Sequence, residues 1–168
     1  MTISMYDASV PVFTQMLQSL LNILKKAEAH AENKKINPEA LIQARLYPNM
    51  LPLSVQVQIA GDTAKGCAAR LAGQEPPVYE DNESTFAELI ARVSKTVDYL
   101  KTIDKEKVDG SENNQINYPH HGQTATMEGL PYLLHRSLPN FYFHVTTAYA
   151  ILRHNGLEIG KSDYIGTY

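Results

Sequence analysis

A single cysteine, Cys67, stands in the 168 residues, so no internal disulfide can form and a reducing, cytoplasmic setting is expected. No apolar run approaches the roughly 20 residues that a bilayer-spanning helix needs. The start of the chain lacks a basic segment followed by an apolar one, so no secretory signal is expected. Positive charge is also scarce. Lys and Arg number 15 against 18 Asp and Glu, a net charge of −3, which leaves no basic face for nucleic acid. No basic amphipathic segment points to a membrane surface. A phosphate-cradling glycine loop, a nucleophile elbow and paired zinc cysteines are all missing. Gly156-Leu-Glu-Ile-Gly160 follows a helical pattern rather than a strand, and reads as a helix stop. With 43% hydrophobic residues the chain is expected to form one domain over 1–168, burying roughly two-thirds of its unfolded surface.

What is present is helical periodicity in four segments. Phe13, Leu17, Leu20, Leu24, Ala27 and Ala31 recur at alternating four- and three-residue steps, one buried face of a first helix. Ser9 is expected to cap it, Pro11 fits its first turn, and Lys25, Lys26 and Lys34 suit its C-terminal half. Asn37-Pro38-Glu39 predicts a short turn through Ala44, and the prolines of Tyr47–Pro52 forbid regular helix. A second helix is expected from Leu53 to Ala72 on Leu53, Val57, Ala60, Ala64, Cys67 and Leu71, with Gly73 after its end. This small-residue stripe allows close helix approach, and Cys67 reads there as a small core hydrophobe.

Gln74 to Tyr79, with Pro76 and Pro77, reads as a linker. Thr85 and Glu88 form a capping-box pattern that starts a third helix, whose core face is Phe86, Leu89, Val93, Val97 and Leu100 and which ends before Asp109-Gly110. From Gly110 to Ser137 periodicity is lost, and brief apolar runs suggest a small hairpin within a long connection. A fourth helix is expected from Pro139 to Asn155, with Phe141, Val145, Ala148 and Leu152 inward and Gly156 as its stop. Four helices with one apolar seam each predict an all-α four-helix bundle, with crossing angles of about 20°. The proline-rich link between the first two helices and the long third connection allow crossovers.

Few side chains suggest chemistry. His144 flanks the inward stripe of the fourth helix, as a ligand or acid–base group in a cavity or as a histidine bonded at the core edge. Gln58 and Asp62 share a face of the second helix. With His144 they would make an oxygen–oxygen–nitrogen set suited to manganese, iron or magnesium, or else Gln58 and Asp62 form a solvated flank. Arg45 and Tyr47 line a cavity mouth or anchor the proline loop. His120-His121 reads as an exposed loop pair, and Arg153 and His154 suit the helix C-terminus.

The run from Asn140 to Gly156, followed by Gly160 to Gly166, resembles the C-terminal signature of a bacterial family of unknown function. Arg45 to Met50, Gln56 to Ala60, and Arg70 to Gly73 through Phe86 to Leu89 match it as well. That family is similar to a branch of the DinB-like bundles, a superfamily of candidate metalloenzymes. The resemblance implies a four-helix bundle with a crossover, often dimeric. The superfamily's usual metal site takes one histidine from the second helix and two, spaced four apart, from the fourth. Only His144 occupies such a position; Ala148 stands four residues on, and no histidine lies between Leu53 and Ala72. The thiol-transfer chemistry that depends on that site is therefore not implied here.

Three functions follow as expectations. The first is a small-molecule ligand in a bundle cavity beside His144, Gln58, Asp62 and Arg45. The second is a metal-dependent transferase or hydrolase with a degenerate site, its cofactor unknown. The third is a non-catalytic homodimeric or stress-associated interaction protein.

Overall fold

The computed structural model describes residues 3–167. Helix α1 spans Val10–Lys34, followed by a short α2 at Pro38–Ile42 and by α3 at Leu53–Leu71. Helix α4 covers Phe86–Lys101 and a single turn, α5, Lys105–Val108. Two antiparallel strands follow, β1 (Gln115–His120) and β2 (Gln123–Glu128), then α6 (Gly129–Pro131), a π-helical turn over Tyr132–Ser137, α7 (Leu138–His154) and α8 (Lys161–Ile165). The chain is an all-α four-helix bundle of α1, α3, α4 and α7, with the hairpin and short helices as additions. The apolar seams meet at its centre, where Phe13 and Phe141 pack edge to face at 4.9 Å between ring centroids.

Most expected boundaries lie within a residue or two of the observed ones. Thr85 and Glu88 form the reciprocal capping box: the Thr85 hydroxyl accepts from the Glu88 N–H, and the Glu88 carboxylate accepts from the Thr85 N–H. Ser9 differs from its expected role. Turns from Ser4 already lead into α1, so the Ser9 hydroxyl donates backwards to the Met5 carbonyl at 2.6 Å and caps nothing.

The segment before α7 corrects the sequence reading more substantially. The hairpin is present, but helix begins at Gly129, ten residues before Pro139, so only part of 110–137 is connection. Gly129 starts it because the chain there presses against the turn after α5. A Cβ on Gly129 would overlap the Ser111 carbonyl oxygen, and the next N–H, from Leu130, donates to the Glu112 carbonyl at 2.9 Å. Pro139 lacks the N–H that would continue an α-helix, and its ring would press on the carbonyl one turn back. The wider π turn before it accommodates that misfit. Periodicity was invisible there because the turn spacing itself changes.

The crossover lies in the second connection, between α3 and α4, rather than in either expected place, the proline-rich link between the first two helices or the long third connection. Leaving the C-terminus of α3, residues 74–84 run back along that helix. Tyr79 lies beside Lys65, with the ammonium 4.6 Å from the ring centroid, and Glu83 accepts from the Gln58 amide at 2.9 Å. Helix α4 thus begins where α3 began and runs parallel to it, while α7 is antiparallel to α3. The pairs Arg70–Tyr132, Thr63–Asn140 and Gln56–His144 mark that second pairing.

Arg92 of α4 fastens the returning link. Its side chain is 2% exposed. It donates to the Glu80 carbonyl at 2.9 Å and to Glu83 at 2.8 Å on the link, pairs with Asp81 at 2.8 Å, and reaches Asp62 of α3 at 2.9 Å. Burial alone would push its pKa down; the Glu83 hydrogen bond and the charges of Asp62, Glu83 and Asp81 outweigh that and hold it up. Tyr79 lies against this cluster, with Arg92 5.5 Å and Lys95 4.2 Å from its ring centroid. Removing the guanidinium would strand the Glu83 carboxylate, whose side chain is 10% exposed. Arg92→Ala is therefore expected to cost about 3–5 kcal/mol in urea unfolding, with Arg92→Lys falling between because one ammonium cannot reproduce the fork. A loss for Arg92→Ala below about 1 kcal/mol, the scale of a surface pair, would contradict this role.

Candidate functional site

The returning link, the C-terminal half of α3, β1 and the π turn enclose a cleft of about 510 Å³, within the range of small-molecule sites. Pro76, Pro77, Val78 and Tyr79 form one wall. Lys65, Gly66 and Arg70 of α3 form its floor, and Tyr118, Tyr132, Arg136 and Asn140 close the far side. Alternation along β1 puts Ile116 and Tyr118 on its buried face, which is how a strand delivers an aromatic ring here. The Tyr118 and Tyr132 rings lie 5.2 Å apart. Arg70 donates to the Tyr132 hydroxyl at 3.3 Å, and the Arg136 guanidinium sits 5.9 Å from the Tyr118 ring centroid. Burial pushes the Tyr132 phenol up, keeping it protonated at neutral pH.

The floor depends on Gly66. A Cβ there would stand 2.6 Å from Nη1 of Arg70, so only glycine lets this guanidinium lie across the helix one turn before its own position. Lys65 is neutralised by Asp62 at 2.6 Å. Behind the floor, Cys67 is fully buried beside Ser137, and burial pushes its thiol up to about 12, so it is inert as a nucleophile.

His144 lies outside this cleft, between α3 and α7. Its Nδ1 is 2.7 Å from the Gln56 side-chain oxygen. Gln56 uses its amide nitrogen to donate to the Leu51 carbonyl at 3.0 Å, which fixes the amide orientation and turns the oxygen toward the ring. Nδ1 therefore carries the proton and Nε2 the lone pair. Burial, with a smaller effect from the Arg136 charge, lowers the His144 pKa to about 4.

The four residues singled out from sequence do not share one site. Gln58 donates to Glu83 under the link, and Asp62 binds Lys65 and Arg92 at the cleft's edge. Arg45 is exposed and donates to the Met50 carbonyl, closing the proline loop. Helix geometry explains the separation: Gln56, which meets His144, lies about 200° around α3 from Gln58. His120 and His121 lie at the exposed hairpin tip, where His121 and Gly122 take positive φ in a two-residue turn. Gln56, Arg70, Arg92 and Arg136 were missed. Gln56 had a signal in its place in the first turn of an apolar helix and Arg70 in the glycine four residues before it, whereas Arg92 and Arg136 had none.

Residues 5–165 match the family described as Domain of unknown function (DUF1993). The chain belongs to this family. A crystal structure of a DinB family member protein from Shewanella denitrificans is similar to it over 97% of this chain and 92% of that one, at 42% identity and a TM-score of 0.90. No curated protein matches.

This DUF1993 chain is thus a DinB-like bundle, and its residues do not fit the superfamily's three-histidine metal site. Helix α3 carries no histidine, Ala148 stands where the second histidine of α7 would be, and Gln56 occupies Nδ1 of His144. Among the described residues no three His, Cys, Asp or Glu side chains gather as a metal would need. Burial instead makes His144 a neutral imidazole with a pH signature. Its folded pKa of about 4 lies below the ordinary 6.5, so the unfolded chain binds a proton in that window that the folded protein refuses. Stability falls as pH drops from about 6.5 toward about 4. Between pH 7 and 4.5 the wild type is expected to lose about 2 kcal/mol more in urea unfolding than His144→Gln. Equal losses would contradict the assignment.

Proposed function

We propose that this protein binds an organic small molecule in the cleft between α3, the returning link, β1 and the π turn. The observation that carries the reading is the cleft's composition. An apolar wall of Pro76, Pro77 and Val78 faces cationic and phenolic groups on Arg70, Arg136, Tyr118 and Tyr132, within about 510 Å³. Small-molecule sites combine an apolar lining with a few convergent polar groups in this way. The hairpin and the π turn bring Tyr118, Pro119, Tyr132, Arg136 and Ser137 to that lining. π turns inside α-helices recur at functional sites.

The residues named from sequence take a different part in this reading. Asp62 borders the cleft and holds Lys65 in place; Gln58 steadies Glu83 and the link. His144 supports the α3–α7 contact, and Arg45 serves its own loop. A metal-dependent transferase or hydrolase has less support, because the donors it would need are spread over separate partners. Binding is the function proposed.

The reading is tested by two-dimensional amide NMR of the ¹⁵N-labelled protein against a panel of neutral and charged fragments. Shifts confined to Gly66, Arg70, Val78, Tyr79, Tyr118 and Tyr132 are the expected result. Shifts centred on His144 and Gln56, or none at the cleft for any fragment, would overturn it.

A further inference from the structure

Two cations line the cleft without a counter-ion. Arg92 and Lys65 are matched by Asp62, Asp81 and Glu83. Arg70 and Arg136 form no ion pair among the described residues, and Nε of Arg136 is buried with no hydrogen-bond partner. Glu75, the cleft's other carboxylate, is exposed at its rim and pairs with neither. Both arginines are only partly exposed, and a guanidinium held away from water without an anion is costly.

The bland explanation for Arg70 is its place in the last turn of α3, where a cation complements the helix dipole. That accounts for a positive charge but not for its direction. Over Gly66, Arg70 lies back along the helix, away from the carbonyl end and toward Tyr132. Arg136 has no such explanation, because the π turn brings it to the same wall. The paired rings of Tyr118 and Tyr132 connect the two guanidiniums, one bonded to the Tyr132 hydroxyl and the other beside the Tyr118 ring.

Building on the cleft as the binding site, we infer that its ligand is an organic oxyanion. Arg70 and Arg136 hold the carboxylate or phosphate head, and the wall of Pro76, Pro77, Val78 and Tyr79 receives its apolar body. Planar guanidinium forks match both head groups, and such charge-assisted bonds are among the strongest available to a protein. The apolar wall opposite sets the second half of the specificity, since inorganic anions would leave it wet.

Isothermal titration at constant ionic strength with phenyl phosphate, benzoate and benzyl alcohol tests this, because the three share a ring and differ in the head. One or both oxyanions are expected to bind at a single site at least tenfold more tightly than benzyl alcohol, and the better of the two identifies the head group. Arg70→Gln and Arg136→Gln are each expected to weaken that oxyanion about tenfold. Gly66→Ala, which moves only the end of a flexible side chain, should do the same with an unchanged melting temperature. Benzyl alcohol binding as tightly as the oxyanions would overturn the inference while leaving the cleft as a binding site. Oxyanion affinity insensitive to all three substitutions would overturn it too. If none of the three probes binds, the inference falls, and the fragment shifts judge the cleft separately.

Discussion

The buried guanidinium of Arg92 is the constraint on which the remaining architecture turns. A chain leaving the end of α3 could enter α4 through a short antiparallel turn. Here it doubles back for the length of a helix, exposing a stretch with Pro76 and Pro77 that cannot form regular structure. Four contacts from one side chain, to Glu80, Asp81, Glu83 and Asp62, hold that stretch against the bundle. Burying such a charge is unfavourable unless its partners are in place, so the network requires one arrangement of the link. The parallel course of α3 and α4, and the wall of the cleft, are consequences of that arrangement.

Departures from ideal helix geometry gather around the same cleft. The π turn and Gly66 beneath Arg70 both lie on its lining. In the bundle centre, by contrast, pattern and packing agree: Phe13, Leu17, Val57, Ala64, Leu89, Val93, Phe141 and Val145 are buried as their spacing requires. Local rule-breaking beside a consistent core is where function is expected in a folded chain. In this DinB-like scaffold the cleft with Arg70 and Arg136 lies beside the bundle, and His144 and Gln56 join two helices within it.

The fold was legible in the sequence because periodicity reports burial directly. Leu53 to Leu71 and Phe86 to Leu100 announce their inward faces, and the Thr85–Glu88 pair announces a helix start. The candidate site was much less legible. Gln58 and Asp62 share a face of α3, but which neighbour that face meets depends on the link's path, and the path depends on Arg92. In a one-dimensional pattern Arg92 is a charge between Leu89 and Val93, no different from a solvated flank. Arg136 was hidden differently, since the π turn shifts its register and removes it from any 3.6-residue stripe. His144 was visible, whereas its partner Gln56 sits 88 positions away.

A crystal structure of the protein grown with phenyl phosphate would test most directly whether the cleft is the binding site. Density for the phosphate between Arg70 and Arg136, with the ring against Pro77 and Tyr79, is the predicted result. A cleft still filled by solvent at saturating ligand, or density beside His144 instead, would contradict it.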